Sequence, residues 1–370
     1  MSARFLTVVL ERVFNMRDGF GREIDYMRIS VIDSCNLNCY YCNPCDNNEH
    51  CHALNILSVK EVLCIVRAAT RLGIKHFRLT GGEPLLHPQL DEMVLQIKKI
   101  PGVSSVSLTT NAVLLVQHAK WLKEAGIDSI NVSLDTIDAS EYERITKKPL
   151  LEEVKHGINA AIECGIRVKI NVVLTPQTDV VALTRYVAKK GTDIRFIEMM
   201  PVGEGHTNGV EPYKKVIGTL SKLYGEPCRI NTEKTKEINS GNDKRKIPDN
   251  GPAEYYIFPE LGIRVGLIQA IHGKFCDTCN RIRVTADGRL MPCLGSSVTM
   301  DLVPDSWDFA DDVEKDFVIV RALRAAIKAK PRCHNFNDNA VTYTKTTETK
   351  TTEIEAAEVN AARNMSRIGG

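Results

Sequence analysis

Six of the twelve cysteines fall into two groups whose spacing suits metal ligation in a reducing compartment. The first is Cys35-Asn-Leu-Asn-Cys39-Tyr-Tyr-Cys42, and the second is Cys276-Asp-Thr-Cys279 with Cys293 following. Three thiolates can hold three irons of a cubane [4Fe–4S] cluster and leave the fourth iron without a protein ligand. Clusters used only for electron transfer normally take four protein ligands. Three ligands therefore point to a cluster with an open coordination position. Cys64, Cys164, Cys228 and Cys333 are scattered, and buried, inert thiols are expected there.

An open iron behind the first group can chelate the amino and carboxylate groups of S-adenosylmethionine (SAM). One electron from the cluster then cleaves the C–S bond and gives a 5′-deoxyadenosyl radical. The cofactor supplies that chemistry; the protein supplies orientation and excludes water. Two readings compete. Similar spacings hold structural zinc. Alternatively Cys45, in Cys42-Asn-Pro-Cys45, closes the fourth position and makes an electron carrier; His50, Cys51 and His52 follow shortly. A Cys45→Ala change is expected to leave SAM cleavage intact.

In the second group, Arg281 and Arg283 alternate with Ile282 and Val284 after Cys279, and Asp287-Gly288 signals a hairpin turn. Counting pairs across that turn sets Cys293 near Ile282, about 10 Å along the strand from Cys279. Two arginine forks beside an open metal position suit phosphate oxygens, so this half reads as a site for a phosphorylated substrate. A zinc knuckle with a distant fourth ligand such as His272 and solvent-facing arginines stays open as the other reading.

The elements that must position these groups alternate. Candidate strands at Met27–Ile32, His76–Thr80, Ser104–Leu108, Ser129–Leu134, Arg167–Val173 and Ile194–Glu198 are separated by helical patterns at Val59–Leu72, Gln89–Lys99, Gln117–Ala125, Glu152–Cys164 and Val180–Lys189. This order predicts right-handed βαβ units and a parallel sheet, as an incomplete barrel with its ligands at the C-terminal strand ends. A flat doubly wound sheet is the alternative. Strand ends carry polar residues throughout: Thr80-Gly81-Gly82-Glu83-Pro84, Thr109-Thr110-Asn111, Ser133 and Asp135. Paired glycines let backbone approach a ligand, and Glu83 can accept from an ammonium group. Lys169 and Asn171 share a strand face.

After a helix near Pro212–Leu223 the chain changes character. Residues 231–252 read as a polar surface loop, followed by strands at Tyr255–Phe258, Ile263–Leu267, Arg281–Thr285 and Arg289–Pro292 and a helix at Glu314–Ala329. The expected organisation is a partial barrel over residues 1–230 (core about 25–200), an extension carrying the second cluster over 231–335, and a partly ordered tail over 336–370. With 43% hydrophobic residues and a net charge of +2, the composition is that of a soluble globular protein with no electrostatic case for a nucleic-acid or membrane partner, and the metal-suited cysteine groups make the cytoplasm the expected compartment. No apolar run is long enough to span a bilayer.

Together these residues resemble the GTP 3′,8-cyclase family, the molybdenum cofactor biosynthesis protein A enzymes of the radical SAM superfamily. The resemblance runs from about Gly21 to Gly370, through DYMRISVIDSCNLNCYYC, RLTGGEPLL, LTTN, INVSLD, VKINVVL, RFIEMMPVGEG, GPAEYY, FCDTCNRIRVTADGRLMPCL and the closing IGG. It implies an α/β fold: an incomplete (β/α)6 TIM-type barrel with a small C-terminal α+β extension. It implies two [4Fe–4S] clusters, held by Cys35, Cys39 and Cys42 and by Cys276, Cys279 and Cys293. SAM would lie against Tyr41, Gly82, Ser133 and Met200, with Glu83 beside them. GTP would lie against Arg28, Arg78, Thr109, Lys169, Arg281 and Arg283, and the Gly369-Gly370 tail would reach into the site. The activity implied is a lyase reaction, the conversion of GTP to (8S)-3′,8-cyclo-7,8-dihydroguanosine 5′-triphosphate. That product would pass to cyclic pyranopterin monophosphate synthase, and a reductant is required. The oligomeric state is open, a homodimer being one arrangement. Asn43 stands where the family usually has Met, Ala112 where it has Gly, and Cys45 and Cys51 are additional thiols.

Two rivals remain at this level. A radical SAM enzyme that modifies a peptide would use a second cluster for electron transfer, with less need for Arg281 and Arg283. An iron–sulfur carrier or zinc-stabilised binding module would perform no chemistry of its own.

Overall fold

The computed structural model describes residues 16–42, 55–202, 209–230, 251–296, 299–302, 312–334 and 336. Cys45, His50, Cys51, His52, most of the polar loop and the Gly369-Gly370 tail lie outside the described residues.

Six strands, β1 (Tyr26–Ser30), β2 (His76–Thr80), β3 (Ser105–Thr110), β4 (Ser129–Ser133), β5 (Val168–Leu174) and β6 (Asp193–Glu198), lie side by side in chain order, all parallel. The helices between them are α1 (Val59–Arg71), α2 (Leu90–Lys98), α3 (Leu115–Glu124), α4 (Ala139–Thr146), α5 (Leu151–Glu163) and α6 (Val180–Lys189). Unbroken sequential order means no reversal of winding. Right-handed crossovers then put every helix on one face and leave the other face as a lumen. The doubly wound alternative is thereby excluded, and the sheet remains an unclosed barrel.

Strand alternation shows which face is which. Met27, Ile29, Phe77, Leu79, Val106, Leu108, Ile130, Val132, Ile170, Val172, Ile194 and Phe196 are fully buried, in the core shared with the helices. Their neighbours on the opposite face are Tyr26, Arg28, His76, Arg78, Ser107, Thr109, Asn131, Lys169, Asn171 and Arg195. A polar inner face cannot collapse on itself as a closed barrel's apolar layers do. It calls for water or a polar ligand.

The C-terminal part does not stand apart as a separate sheet. β9 (Arg264–Ile268) extends the barrel parallel to β6, and β8 (Glu254–Ile257) and β7 (Cys228–Ile230) follow antiparallel. At the opposite edge β10 (Arg281–Val284) pairs parallel with β1, followed by β11 (Arg289–Met291) and β12 (Met300–Asp301). Both barrel edges are therefore covered from one stretch of chain. α7 (Gly218–Tyr224), entered through a π-bulged turn at Tyr213–Ile217, packs on α6, and α8 (Asp312–Lys328) packs on α1.

Side-chain caps explain three of the helix starts. Ser58 and Glu61 form a reciprocal capping box at the start of α1, and Asp138 and Asp179 cap α4 and α6. Of the scattered cysteines Cys64 is buried and Cys164 half-buried, but Cys228 and Cys333 are exposed. The expectation of buried thiols fails at these two; Cys228 opens the outermost strand of its edge, where little chain covers it.

Candidate active site

The loop after β1 carries Cys35, Cys39 and Cys42, all half-buried and free. Three elements hold it. The end of α4 offers orphan carbonyls: Asn38 donates its N–H to Thr146 and Tyr40 to Ile145. The Gly81-Gly82 turn after β2 packs directly on the loop backbone. Gly82 donates to Ile32 O at 2.7 Å and Glu83 to Ser34 O at 2.8 Å. A Cβ on Gly82 would stand 2.1 Å from Ser34 O, so the glycines serve close approach to the cysteine loop itself. Finally Asn111 donates through Nδ2 to Asn36 Oδ1 (2.7 Å) and Cys35 Sγ (3.8 Å), while Leu37 N–H also points at Cys35 Sγ (3.4 Å).

Glu83 is the buried hub of this end. Its Oε1 accepts from Thr110 Oγ1 (2.6 Å) and Leu85 N–H (3.0 Å), and its Oε2 from Asn111 N–H (2.7 Å). A carboxylate has about four acceptor sites, so Oε2 has room for one further donor. Burial pushes its pKa to about 7 against those hydrogen bonds. Tyr41 donates to Asp135 Oδ2 at 2.5 Å, and Asp135 Oδ1 accepts from Val173 N–H at 2.8 Å. Burial lifts Asp135 to about 6. A cavity of about 40 Å³ beside them is lined by Cys39, Tyr41, Asn111, Ser133, Asp135 and Tyr142, among others. Met200, just past β6, packs against Val202, Met291 and Phe336.

Burial raises the pKa of all three thiols, and a neighbouring thiol adds to the shift of Cys39 and Cys42. Cys35 is lifted to about 11 and Cys42 to about 12, by burial first, with Cys35 adding to the shift of Cys42; Cys39 rises well above its usual value by burial and then Cys42. Thiols gathered this way become thiolates only beside a positive centre, and N–H donors already aim at one sulfur. The donor set fits an iron–sulfur cluster. Among the described residues no three His, Cys, Asp or Glu side chains surround a single-ion site.

Below this loop the lumen is basic. Arg283, Arg28 and Arg78 lie level on β10, β1 and β2, and Arg281 lies level with Tyr26. Arg78 donates to Tyr26 OH (2.5 Å), Leu108 O (3.2 Å) and Thr109 Oγ1 (3.4 Å). Burial lowers Arg283 to about 10 and Arg28 well below the usual range, and in each case the nearest like charge, Arg281 or Arg283, adds to it. Burial alone would raise Tyr26, yet Arg78 and Arg28 outweigh it and hold the phenol below its ordinary pKa. Four mutually opposed guanidinium groups make a site whose charge is best met by a polyanion. Across the lumen Lys169 is buried, with Nζ 3.5 Å from Tyr255 OH. Arg195 donates to Asn171 Oδ1 at 3.0 Å, and Gly266 leaves space for it: a Cβ there would stand 2.8 Å from Arg195 Cγ.

The second cysteine set lies at the opposite end of β1, just before β10 begins. Its hairpin corrects the expected register. The loop is Ala286-Asp287-Gly288, closed by Thr285 N–H to Arg289 O (2.8 Å) with Gly288 at φ 76°. Arg283 then faces Met291. Carried two residues on, this sets Cys293 level with Arg281 rather than Ile282, about 7 Å along the strand from Cys279. A three-residue turn with glycine in the left-handed position replaces the assumed two-residue one. The thiols therefore lie closer than the sequence count gave, and three of them again fit a cluster. Burial raises Cys276; burial also opposes ionisation of Cys279, but Arg281, Lys330 and Arg22 win and hold it below its usual value. His272 turns Nδ1 to Glu198, which also accepts from Ile271 N–H at 2.7 Å.

Thus the upper residues Cys35, Cys39, Cys42, Tyr41, Gly82, Glu83 and Ser133 gather at one mouth. Arg28, Arg78, Thr109, Lys169, Arg281 and Arg283 line the lumen, and Cys276, Cys279 and Cys293 gather at its far end. Asn111's hold on Cys35 and the Tyr41–Asp135 bond have no local signal in the sequence. α4 does have one, Asp138 followed three residues later by Glu141, and it is absent from the expected helices.

A family model described as the radical SAM superfamily matches residues 29–182, and one described as Molybdenum Cofactor Synthesis C matches residues 192–336. The GTP 3′,8-cyclase of Clostridium perfringens (strain SM101 / Type A) is 36% identical over 324 residues, 87% of this chain and 95% of that protein. That of Peptoclostridium acidaminophilum is 37% identical over 328 residues, covering 87% and 94%. Among solved structures, Streptococcus suis SuiB bound to S-adenosylmethionine superposes with a TM-score of 0.55 at 15% identity, covering 80% of this chain and 68% of that one. This last likeness is one of fold.

Proposed function

The chain belongs to the GTP 3′,8-cyclase family, and from that membership we propose that it converts GTP to (8S)-3′,8-cyclo-7,8-dihydroguanosine 5′-triphosphate, the first step of molybdenum cofactor biosynthesis. The observation that carries the reading is the basic rung Arg283–Arg28–Arg78 lying in the lumen between two cysteine triplets. β1 spans five residues between those triplets, about 13 Å along the strand, so a ligand in the lumen is approached from both ends.

When bound to a cluster on Cys35, Cys39 and Cys42, SAM supplies a 5′-deoxyadenosyl radical by one-electron cleavage. The chain does the rest. Gly82 and Asn111 hold the cysteine loop, and Tyr41, Ser133 and Met200 line the SAM side, with Glu83 fixing the turn beside it. Arg28, Arg78, Lys169, Arg281 and Arg283 bind and neutralise the triphosphate, and Thr109 orients it. Cys276, Cys279 and Cys293 would hold the second cluster, which, with only three protein ligands, would offer a coordination position to the base. We also place the protein in the cytoplasm, where thiol ligands stay reduced; among the described residues no helix is long and apolar enough to cross a membrane. Cyclic pyranopterin monophosphate synthase is the proposed consumer of the product, with a reductant of unassigned identity, and the Gly369-Gly370 tail is proposed to enter the site.

The test is anaerobic reconstitution with iron, sulfide, reductant, SAM and GTP, followed by mass spectrometry. A cyclised species of the mass of GTP alongside 5′-deoxyadenosine is expected. 5′-Deoxyadenosine with GTP untouched would refute the substrate assignment.

A further inference from the structure

Two buried cations lie against the second cysteine set without belonging to its motif. Arg22 is 8% exposed and Lys330 is 3% exposed. Asp18 neutralises Arg22, with Nε 2.5 Å from Oδ2. The remaining donors of Arg22 reach three backbone carbonyls: Nη1 to Cys276 (2.7 Å) and Arg332 (2.9 Å), and Nη2 to Pro331 (2.6 Å). Lys330 Nζ donates to Arg281 O and Pro292 O, both at 2.8 Å.

Three of these five acceptors lie on or beside the second cysteine set: Cys276 is one of its members, Arg281 lies two residues past Cys279, and Pro292 immediately precedes Cys293. Cys276 lies on a short 3₁₀ turn (Cys276–Thr278) that Cys279 closes before β10, Cys293 follows β11, and no disulfide ties them. Their relative spacing is set by the backbones that carry them. Lys330 bridges the two strands at the level where Cys293 faces Arg281. Arg22 ties the turn to the Pro331–Arg332 segment next to Lys330. The two side chains therefore close one clasp around the site.

Charge gives a second argument. A buried ammonium carries a heavy desolvation cost, which two neutral carbonyls offset only in part. Among the described residues Lys330 has no carboxylate partner. Three thiolates around a [4Fe–4S] core carry net negative charge, and that anion is the missing counterpart.

We propose that Arg22 and Lys330 are positioning residues for the second cluster: they fix the spacing of Cys276, Cys279 and Cys293 through backbone hydrogen bonds, and Lys330 balances the charge of the loaded centre. This rests on the cluster assignment of the proposed function. It concerns residues outside the ligand set.

The test uses the full chain with both centres reconstituted, comparing wild type, Lys330→Met and Lys330→Arg. Two quantities are read: the rate at which each centre loses iron to a chelator, and the reduction midpoint of the second centre followed by electron paramagnetic resonance. Lys330→Met is expected to release second-centre iron roughly 10-fold faster or more, with a more negative midpoint and the first centre unchanged. Lys330→Arg is expected to restore most of the midpoint. Unchanged release and midpoint in Lys330→Met would overturn the proposal, as would equal loss of both centres. Should Lys330→Met not fold, Arg22→Lys decides: charge kept and fork lost, it should speed second-centre release without moving the midpoint, and unaltered release overturns the clasp. Wild type that binds no second centre would instead overturn the cluster reading on which it rests.

Discussion

Replacing Gly82 by alanine tests whether the glycine pair serves the cysteine loop or only the approach of SAM. A Cβ built at Gly82 stands 2.1 Å from Ser34 O, 2.4 Å from Ser34 C and 2.5 Å from Asp33 O. Such contacts are essentially never shorter than 3.0 Å, so Ser34 must retreat by about 0.9 Å. The obstruction is backbone, so no rotamer change relieves it. Ser34 O also accepts from Glu83 N–H at 2.8 Å, and a retreat of that size takes this bond out of range. Overpacking of this kind typically costs about 1–3 kcal/mol of stability. Cys35 is the next residue, so its sulfur moves with Ser34, and misplacement near 1 Å can cost about 10²-fold in rate. The assay measures iron held by the first centre in the absence of SAM, then 5′-deoxyadenosine formation. Gly82→Ala should lose first-centre iron before any SAM is added, while GTP binding in the lumen persists. Full iron content with only the affinity for SAM reduced would refute the packing argument and return Gly82 to a ligand-contact role.

Three other outcomes are expected. Arg283→Ala removes one charge-assisted donor from the rung and should weaken GTP binding roughly 10- to 100-fold in calorimetry, with SAM cleavage in the absence of GTP retained; an unchanged affinity would count against a triphosphate in the lumen. Glu83 titrates at about 7 folded against 4.5 unfolded, so between those values the folded protein keeps a proton that the unfolded chain has released. Stability should therefore fall as pH rises through this window, by up to roughly 3 kcal/mol, and denaturant melts of Glu83→Gln should lack that part of the slope. Ala112 sits at φ 66°, a left-handed backbone that costs an L-residue roughly 1–2 kcal/mol. Its buried methyl returns about 0.8 kcal/mol, and a glycine would lose more chain entropy, so Ala112→Gly should change the melting temperature little while Ala112→Val should lower it by several degrees.

The barrel was legible because its strands alternate. Along β1, β2 and β4 polar and apolar residues alternate throughout, and β3 and β5 break the pattern only toward their ends, at Thr110 and Val173. The cysteine groups were legible because ligand spacing is local. What escaped was set by distance or by small loop differences. Tyr41 and Asp135 are 94 residues apart, and nothing near either announces the other. Arg22 reaches Cys276 across 254 residues, and a buried arginine reads in sequence like any surface one. The hairpin register slipped by one because Asp287-Gly288 fits both a two-residue and a three-residue turn. β7 and β12, of three and two residues, are too short for periodicity to register.

The pairing of β10 with β1 has a consequence for how the chain is made. Tyr26 meets Arg281, so strand β1 leaves the ribosome 255 residues ahead of its edge partner. At about 5–20 residues per second that is roughly 13–50 s. β6 waits likewise, more briefly, for β9. During that interval both flanks of the nascent barrel present open hydrogen-bonding edges, the usual template for unwanted association. Non-local closure of this kind is also slow once the chain is complete. Shortened chains ending before residue 254 should accordingly be handled by the cell as unfinished sheets, and the timing of metal loading during synthesis is constrained in the same way: the first cysteine group exists long before the walls that shield it.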